Sequence, residues 1–136
     1  MRFYIASGLK NAENVRVAAQ ALTDLGHVHA YDWTRHGDVR KEGGERLAEV
    51  AAVELAAVTS SELVLVMLPG GCGTHTELGA ALVAPGDRRV WIYGDKGFFA
   101  SDERTCAFYF HPRVRRFSED FSTVLAAISE EFGGQA

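Results

Sequence analysis

The sequence predicts an α/β domain built on a single doubly wound, five-stranded parallel sheet. Three observations carry that expectation. Short apolar strands alternate with amphipathic helices along the whole chain. The run Leu63–Leu68 (LVLVML) is continuously aliphatic, as in a central parallel strand covered on both faces. A glycine-rich turn and a helix follow it at once, Pro69–Gly79 (PGGCGTHTELG). Open α/β sheets place their ligand sites just outside such a strand end.

Composition narrows the classes. A chain of 136 residues, 47% apolar and 24% charged, suits one domain (1–136) with a sizeable core. The net charge is −4 and the 14 basic residues form no block, which argues against nucleic acid as a partner. No apolar run approaches membrane-spanning length, and the N-terminus enters a strand without a signal-peptide pattern, so no membrane partner is expected. Cys72 and Cys106 make neither a disulfide framework nor a zinc pattern. The expected setting is the reducing cytoplasm, with no metal and no cofactor.

Arg2–Ala6 reads as the first strand, ended by Ser7-Gly8. A helix starting at Asn11 or Asn14 follows, with the stripe Val15, Ala18, Ala19, Leu22 and Leu25 and Gly26 closing it. His27–Tyr31 is the second strand, completing a β-α-β unit whose crossover is right-handed. Asp32–Gly44 is polar and glycine-rich, a loop long enough to suggest function. A helix over about Glu45–Ser60 should bury Leu47, Val50, Ala51, Leu55 and Val58. After the central strand a helix spans about Thr74–Val83, and Arg89–Tyr93 is the fourth strand. Gly94–Phe110 is irregular, and its aromatic part Phe98–Phe110 fits an interface or a lid. Val114–Phe117 makes an edge strand, Ser118–Phe132 a closing helix capped by Ser118, and Gly133–Ala136 a tail. The expected strand order is flavodoxin/Rossmann-like.

The chemistry centres on Glu77. Thr74-x-x-Glu77 matches a capping box, in which the carboxylate only satisfies a backbone donor. Gly70, Gly71 and Gly73 point instead to a ligand pressed against the turn, because a cap needs no such open backbone. A helix N-terminus would also favour an ionised Glu77, suited to a nucleophile or a cation stabiliser. Glu54 lies on the core-facing stripe of its helix, where a carboxylate is costly unless paired or lining a cavity. Two carboxylates near one strand end make the acid/base pair of glycosidic chemistry. Tyr4 lies on the first strand, opening onto the same crevice, and could equally be a core aromatic. Ser7 and Gly8 offer hydroxyl and backbone donors to a sugar or phosphate, while Lys10 and Asn11 occupy an anion position at a helix start. Asp32 and Trp33, with Tyr31, end the second strand, where aromatics can stack on a planar base. Cys72 has only His75 as a candidate base, and the five histidines show no metal-ligand spacing beyond one H-x-H.

The residues FYIASG with Tyr4, the helix Glu54-LAAVTSS-Glu62 and GTHTELGAAL with Glu77 resemble the nucleoside 2-deoxyribosyltransferase-like family. That family includes deoxyribosyltransferases and deoxyribonucleotide N-hydrolases, and the likeness covers about Arg2 to Tyr93. It implies that Glu77 is the nucleophile on the anomeric carbon, that Glu54 assists the departing base and that Tyr4 orients Glu77. It implies substrate binding by the Ser7-Gly8 and Gly70–Gly73 turns with Thr74, and a homodimer or higher homo-oligomer. The chain departs from the family pattern in three ways. Gly71 stands where relatives carry Asp or Ser, Glu54 and Glu62 replace aspartates, and the C-terminal third matches poorly. PGGCGTHTE is also similar to the PGGxGTxxE motif of the LONELY GUY-type phosphoribohydrolases, which cleave the same bond.

The expectation is therefore an enzyme that breaks the N-glycosidic bond of a (2-deoxy)nucleoside or nucleoside 5′-monophosphate, by base transfer or hydrolysis. The alternatives are a non-catalytic nucleotide- or nucleotide-sugar-binding domain and, with least support, a flavin binder.

Overall fold

The computed structural model describes residues 1–100 and 102–133. Five parallel strands form one sheet in the order β2-β1-β3-β4-β5, the flavodoxin-like order. They are β1 (Arg2–Ser7), β2 (Val28–His29), β3 (Leu63–Met67), β4 (Arg89–Tyr93) and β5 (Val114–Phe117). The helices are α1 (Ala12–Asp24), α2 (Gly44–Ser60), α3 (Cys72–Val83) and α4 (Ser122–Phe132). Right-handed crossovers put α1, which leads left from β1 to β2, on one face, and α2 and α3, which lead right, on the other. The reversal falls between β1 and β3, which pair from Phe3↔Leu63 to Ser7↔Met67. A crevice therefore opens at their carboxyl ends, beyond Ser7 and Met67.

The core lies where the sequence patterning puts it. Every residue of β3 is buried, and Phe3–Ala6 of β1 and Val90–Ile92 of β4 flank it without solvent contact worth the name. Trp91 packs against Phe117 of β5 and Phe132 of α4, with ring centroids 5.1 and 6.0 Å away. That stack covers the sheet's outer half on the α4 face.

Several boundaries differ from the sequence reading, each for a local reason. The second strand shrinks from His27–Tyr31 to Val28–His29, because only Arg2 and Phe3 of β1 stand opposite it. Asp32 then turns the chain, its carboxylate accepting from the Thr34 amide. The loop over 32–44 is not featureless: Trp33–Arg35 and Arg40–Glu42 are single 3₁₀ turns. α2 buries Val50, Ala57 and Val58, whereas Leu47, Ala51 and Leu55 of the expected stripe are exposed. The helix is rotated from the simple reading because its inner side meets α3 and β1 along 50-54-57-58. The closing helix starts at Ser122 rather than Ser118, since Asp120 accepts from the Ser122 amide and supplies the start signal. Within 94–110 there are two 3₁₀ turns, Lys96–Phe99 and Ala107–Phe110, whose Phe99 and Tyr109 rings meet edge to face. The tail beyond Gly133 lies outside the described residues. Among the described residues no helix is long and apolar enough to cross a membrane.

Two arginines clamp the α2–α3 layer from below. Arg88, only 5% exposed, donates to the carbonyls of Thr59 (2.6 Å), Ser61 (3.1 Å), Ala81 (3.4 Å) and Ala84 (3.4 Å). These are orphan acceptors at the ends of α2 and α3, and a cation there also complements both helix dipoles. Arg113 donates to Leu82 O (2.8 Å) and Arg88 O (3.2 Å), extending the clamp to β5. Replacing Arg88 with methionine keeps the apolar stem but strands buried carbonyls. The unfolding free energy of Arg88→Met should fall by about 2–3 kcal/mol in urea melts.

Candidate active site

Glu77 sits on the second turn of α3, and it is 7% exposed. α3 begins at Cys72, with extended Gly71 before it, and the His75 amide closes the first turn onto Gly71 O at 3.2 Å. Thr74 is thus inside the helix, buried, and is not its cap. The T-x-x-E pattern is not a capping box here, so Glu77 is free for another task. Helical placement turns Glu77 down toward the sheet, where the fully buried Tyr4 of β1 donates its hydroxyl to Glu77 Oε2 at 3.0 Å.

Glu54, on the inner side of α2, completes the group. Its side chain is 21% exposed, and its carboxyl lies close enough to act on the Glu77 carboxyl. Burial, then the hydrogen bond and charge of Glu54, push the Glu77 pKa up to about 9, against a smaller opposing pull from the Tyr4 hydroxyl. This reverses the expectation that a helix N-terminus would hold Glu77 ionised. Burial, the largest cause of the shift, outweighs the dipole. The Tyr4 phenol is driven in the same direction by burial and by both carboxylates, so it stays a donor across the whole working range.

The pair opens into a cavity of about 430 Å³ at the β1–β3 switch point. Its walls come from the β1 end (Ser7, Gly8, Leu9), the glycine turn with α3 (Gly71, Cys72, Gly73, Thr74, Glu77), α2 (Leu47, Val50, Glu54) and the 32–44 loop (Trp33, His36–Arg40). The expected residues meet there unequally. Ser7 lines the wall, but its hydroxyl already donates to Met67 O (2.6 Å) and accepts from Asn11 (2.9 Å), so it offers no free donor. The Gly8 amide is likewise spent on Pro69 O at 3.1 Å, and a Cβ on Gly8 would crowd that same oxygen. These bonds tie the two turns together. Gly70 is required for a different reason: a Cβ there would overlap the Thr74 side chain. Gly71 and Gly73 face open space, leaving bare backbone at the cavity edge.

Trp33 is no exposed stacking platform. It is 4% exposed and donates its indole N–H to Ile5 O at 2.7 Å, while lining the cavity. Asp32 falls outside this group, turned to Thr34 and Arg35 beside a separate surface hollow on the α1 side. Lys10 also lies apart, in an adjoining groove with Asn11, Arg40 and Gly70. Cys72 is exposed at the rim, and His75 cannot serve it as a base. The His75 ring bonds Gly71 O (2.7 Å) and the Tyr109 hydroxyl (2.8 Å) instead. Sequence reasoning passed over His36, Val39 and Arg40, all on the cavity wall. The available signal was the length of the loop that carries them. Among the described residues no His, Cys, Asp and Glu cluster of three or more could hold a metal ion.

No protein-family model matches the chain, and no curated protein does. Solved structures do. A 2-deoxyribosyltransferase from the psychrotolerant bacterium Bacillus psychrosaccharolyticus superposes with a TM-score of 0.68 at 20% identity, covering 91% of this chain and 90% of that one. The CMP N-glycosidase BcmB of Clostridium botulinum gives 0.59 at 15% identity, covering 96% of this chain and 99% of that one. What they share with this chain is the fold. Coverage is nearly complete on both sides, so the shared fold extends over almost the whole of each chain.

The raised Glu77 pKa sets a stability trend. Between the ordinary value of 4.5 and about 9 the folded state holds a proton that the unfolded chain releases. Stability is therefore greatest at the acid end of that window and declines as pH rises through it. Glu77→Gln removes the penalty: its melting temperature should exceed the wild type's at pH 8 and differ little at pH 4.5.

Proposed function

We propose that the protein cleaves the N-glycosidic bond of a (2-deoxy)nucleoside or nucleoside 5′-monophosphate, by hydrolysis or by transfer to an acceptor base. The observation that carries this reading is the cluster of Tyr4, Glu77 and Glu54 at one end of the cavity, where Tyr4 bonds Glu77 and Glu54 helps raise the Glu77 pKa. Inverting displacement needs a gap between the carboxyls wide enough for a water molecule. Glu54 acts strongly enough on Glu77 to raise its pKa, and so close a pair suits double displacement through a covalent intermediate.

In that mechanism substrate entry shifts the shared proton from Glu77 to Glu54. The Glu77 carboxylate, steadied by the Tyr4 hydroxyl, attacks the anomeric carbon. The C–N bond breaks, its electron pair stays on the base nitrogen, and that nitrogen takes the Glu54 proton. Water or a second base then attacks the same carbon and returns a proton to Glu54, releasing Glu77 as the carboxylate. The raised pKa of Glu77 fits a group that must hold a proton at rest and give it up in a dry site. Gly71, Cys72 and Gly73 line the wall beside the reacting end, offering backbone rather than side chains to the sugar. The two unpaired cysteines suit a cytoplasmic setting. The exposed Val53 and Leu55 of α2 support a homo-oligomer.

The test is direct. The protein is incubated with deoxynucleosides, ribonucleosides and their 5′-monophosphates, with and without a free base, and liberated or exchanged base is quantified. Glu77→Gln should lower kcat at least about 10³-fold with the fold intact by circular dichroism. Tight ligand binding with no turnover, unaffected by Glu77→Gln, would establish a binding domain instead. A covalent sugar adduct on Glu77, trapped with a 2-fluoro-substituted substrate and located by mass spectrometry, should appear in the wild type.

A further inference from the structure

The aromatic turn at Ala107–Phe110 reaches the glycine turn through one side chain, Tyr109, which is buried and held from three sides. Its carbonyl accepts from Arg116 Nη1 of β5 at 3.0 Å, and its ring meets Phe99 edge to face. Its hydroxyl lies 2.8 Å from His75 Nε2. The other nitrogen of that ring, Nδ1, is 2.7 Å from the Gly71 carbonyl oxygen. A carbonyl only accepts, so Nδ1 carries the hydrogen, and Nε2 of the neutral ring accepts from the Tyr109 hydroxyl. Burial raises the Tyr109 pKa, which keeps that hydroxyl a donor. A continuous run of hydrogen-bonded groups thus leads from the sheet edge at β5 through Tyr109 and His75 to Gly71.

Gly71 needs such a hold. Glycines at 70, 71 and 73 put few steric limits on this backbone, and α3 has no side-chain cap at Gly71. Among the described residues Gly71 O accepts from His75 alone, through its backbone amide at 3.2 Å and through its ring. His75 precedes Glu77 by two residues, so it leaves α3 on the opposite side and takes no part in the cavity wall. The Gly71 carbonyl is therefore turned to a side chain outside the cavity. In a trans peptide the Cys72 N–H points the opposite way. Resting on the reading of the cavity as an N-glycosidic site, we propose that His75, held by Tyr109, is a positioning residue for the cavity wall. It fixes the Gly71–Cys72 peptide, so the substrate meets one backbone arrangement and not a mixture of flipped ones. Ala107–Phe110 serves as a strut behind the glycine turn, and it lines no part of the cavity.

Loss of the strut should weaken binding and spare the chemistry, because the wall touches the substrate before and during bond breaking alike. His75→Phe keeps a ring but removes both of its bonds. With folding checked by circular dichroism, it should raise KM for the best-cleaved nucleoside or nucleotide about tenfold and leave kcat within about twofold. Tyr109→Phe should raise KM about threefold. His75→Asn retains a short N–H donor for Gly71 O and should bring KM back to within about threefold of wild type. Unchanged KM in folded His75→Phe, loss of kcat in its place, or no recovery in His75→Asn overturns the proposal. A second readout needs no turnover. Long-range ¹H–¹⁵N correlation at pH 8 should show His75 protonated at Nδ1 and bare at Nε2. In Tyr109→Phe, which removes one hydroxyl and no ring, the Cys72 and Gly73 amide signals should move. Protonation at Nε2, or amide signals that stay in place, overturns the proposal. If no nucleoside or nucleotide is cleaved, the N-glycosidic reading fails, and these spectra alone decide for or against the strut.

Discussion

A carboxyl group held almost dry between a tyrosine hydroxyl and a second carboxyl is the constraint on which the rest of this structure depends. Glu77 is buried deep enough that its charge is disfavoured, yet Tyr4 offers it a hydrogen bond that favours that charge. The opposing effects leave a proton that Glu54 can take over. Holding three side chains from β1, α2 and α3 in contact demands that these elements be rigid relative to one another. The β1–β3 ladder, the Ser7 and Gly8 bonds to the Met67–Pro69 turn, and the arginine clamp under α2 and α3 provide that rigidity.

The division of labour across the fold follows. The sheet and the clamp sit behind the crevice, and Tyr4 and Ser7 are the polar side chains that β1 brings to the site. Its mouth is made from backbone, at Gly71 and Gly73, and from the loop after β2. A cavity with a carboxyl pair at its base and bare backbone at its wall determines the reacting end of a ligand better than its remote parts. The adjoining groove with Lys10, Asn11 and Arg40 is open, and Arg40 there pairs with Asp38 rather than with anything buried. A dry carboxyl also destabilises the fold above acid pH. That cost at a functional position is the usual trade between activity and stability.

Legibility varied with how local the cause was. β3, β4 and β5 were readable almost to the residue, because a strand buried on both faces or at an edge leaves its mark in consecutive side chains. Helix starts at Ser118 and Thr74 were misplaced, since a capping residue is chosen by backbone geometry and not by its identity alone. On α2 the apolar face and the buried face do not coincide. Leu47, Ala51 and Leu55 are apolar yet outside, while Val50, Val58 and Glu54 keep the inward positions read from the sequence. Asp32 and Trp33 sit next to the cavity in sequence, but one faces another surface and the other is tied to Ile5.

The sequence by itself determined the α/β class, the parallel order and the turn that brings Glu77 to the end of the central strand. These follow from hydrophobic periodicity and glycine placement within windows of about ten residues. Tertiary structure alone decided that burial and Glu54 push the Glu77 carboxyl toward its neutral form, and that the Ser7 hydroxyl and the Gly8 amide are already bonded. It also decided that Tyr109 meets His75. Each of these depends on the distance and dielectric between atoms from separate elements, with Tyr4 and Glu77 lying 73 residues apart. A linear pattern can place a residue on a face, but it cannot say what that face meets.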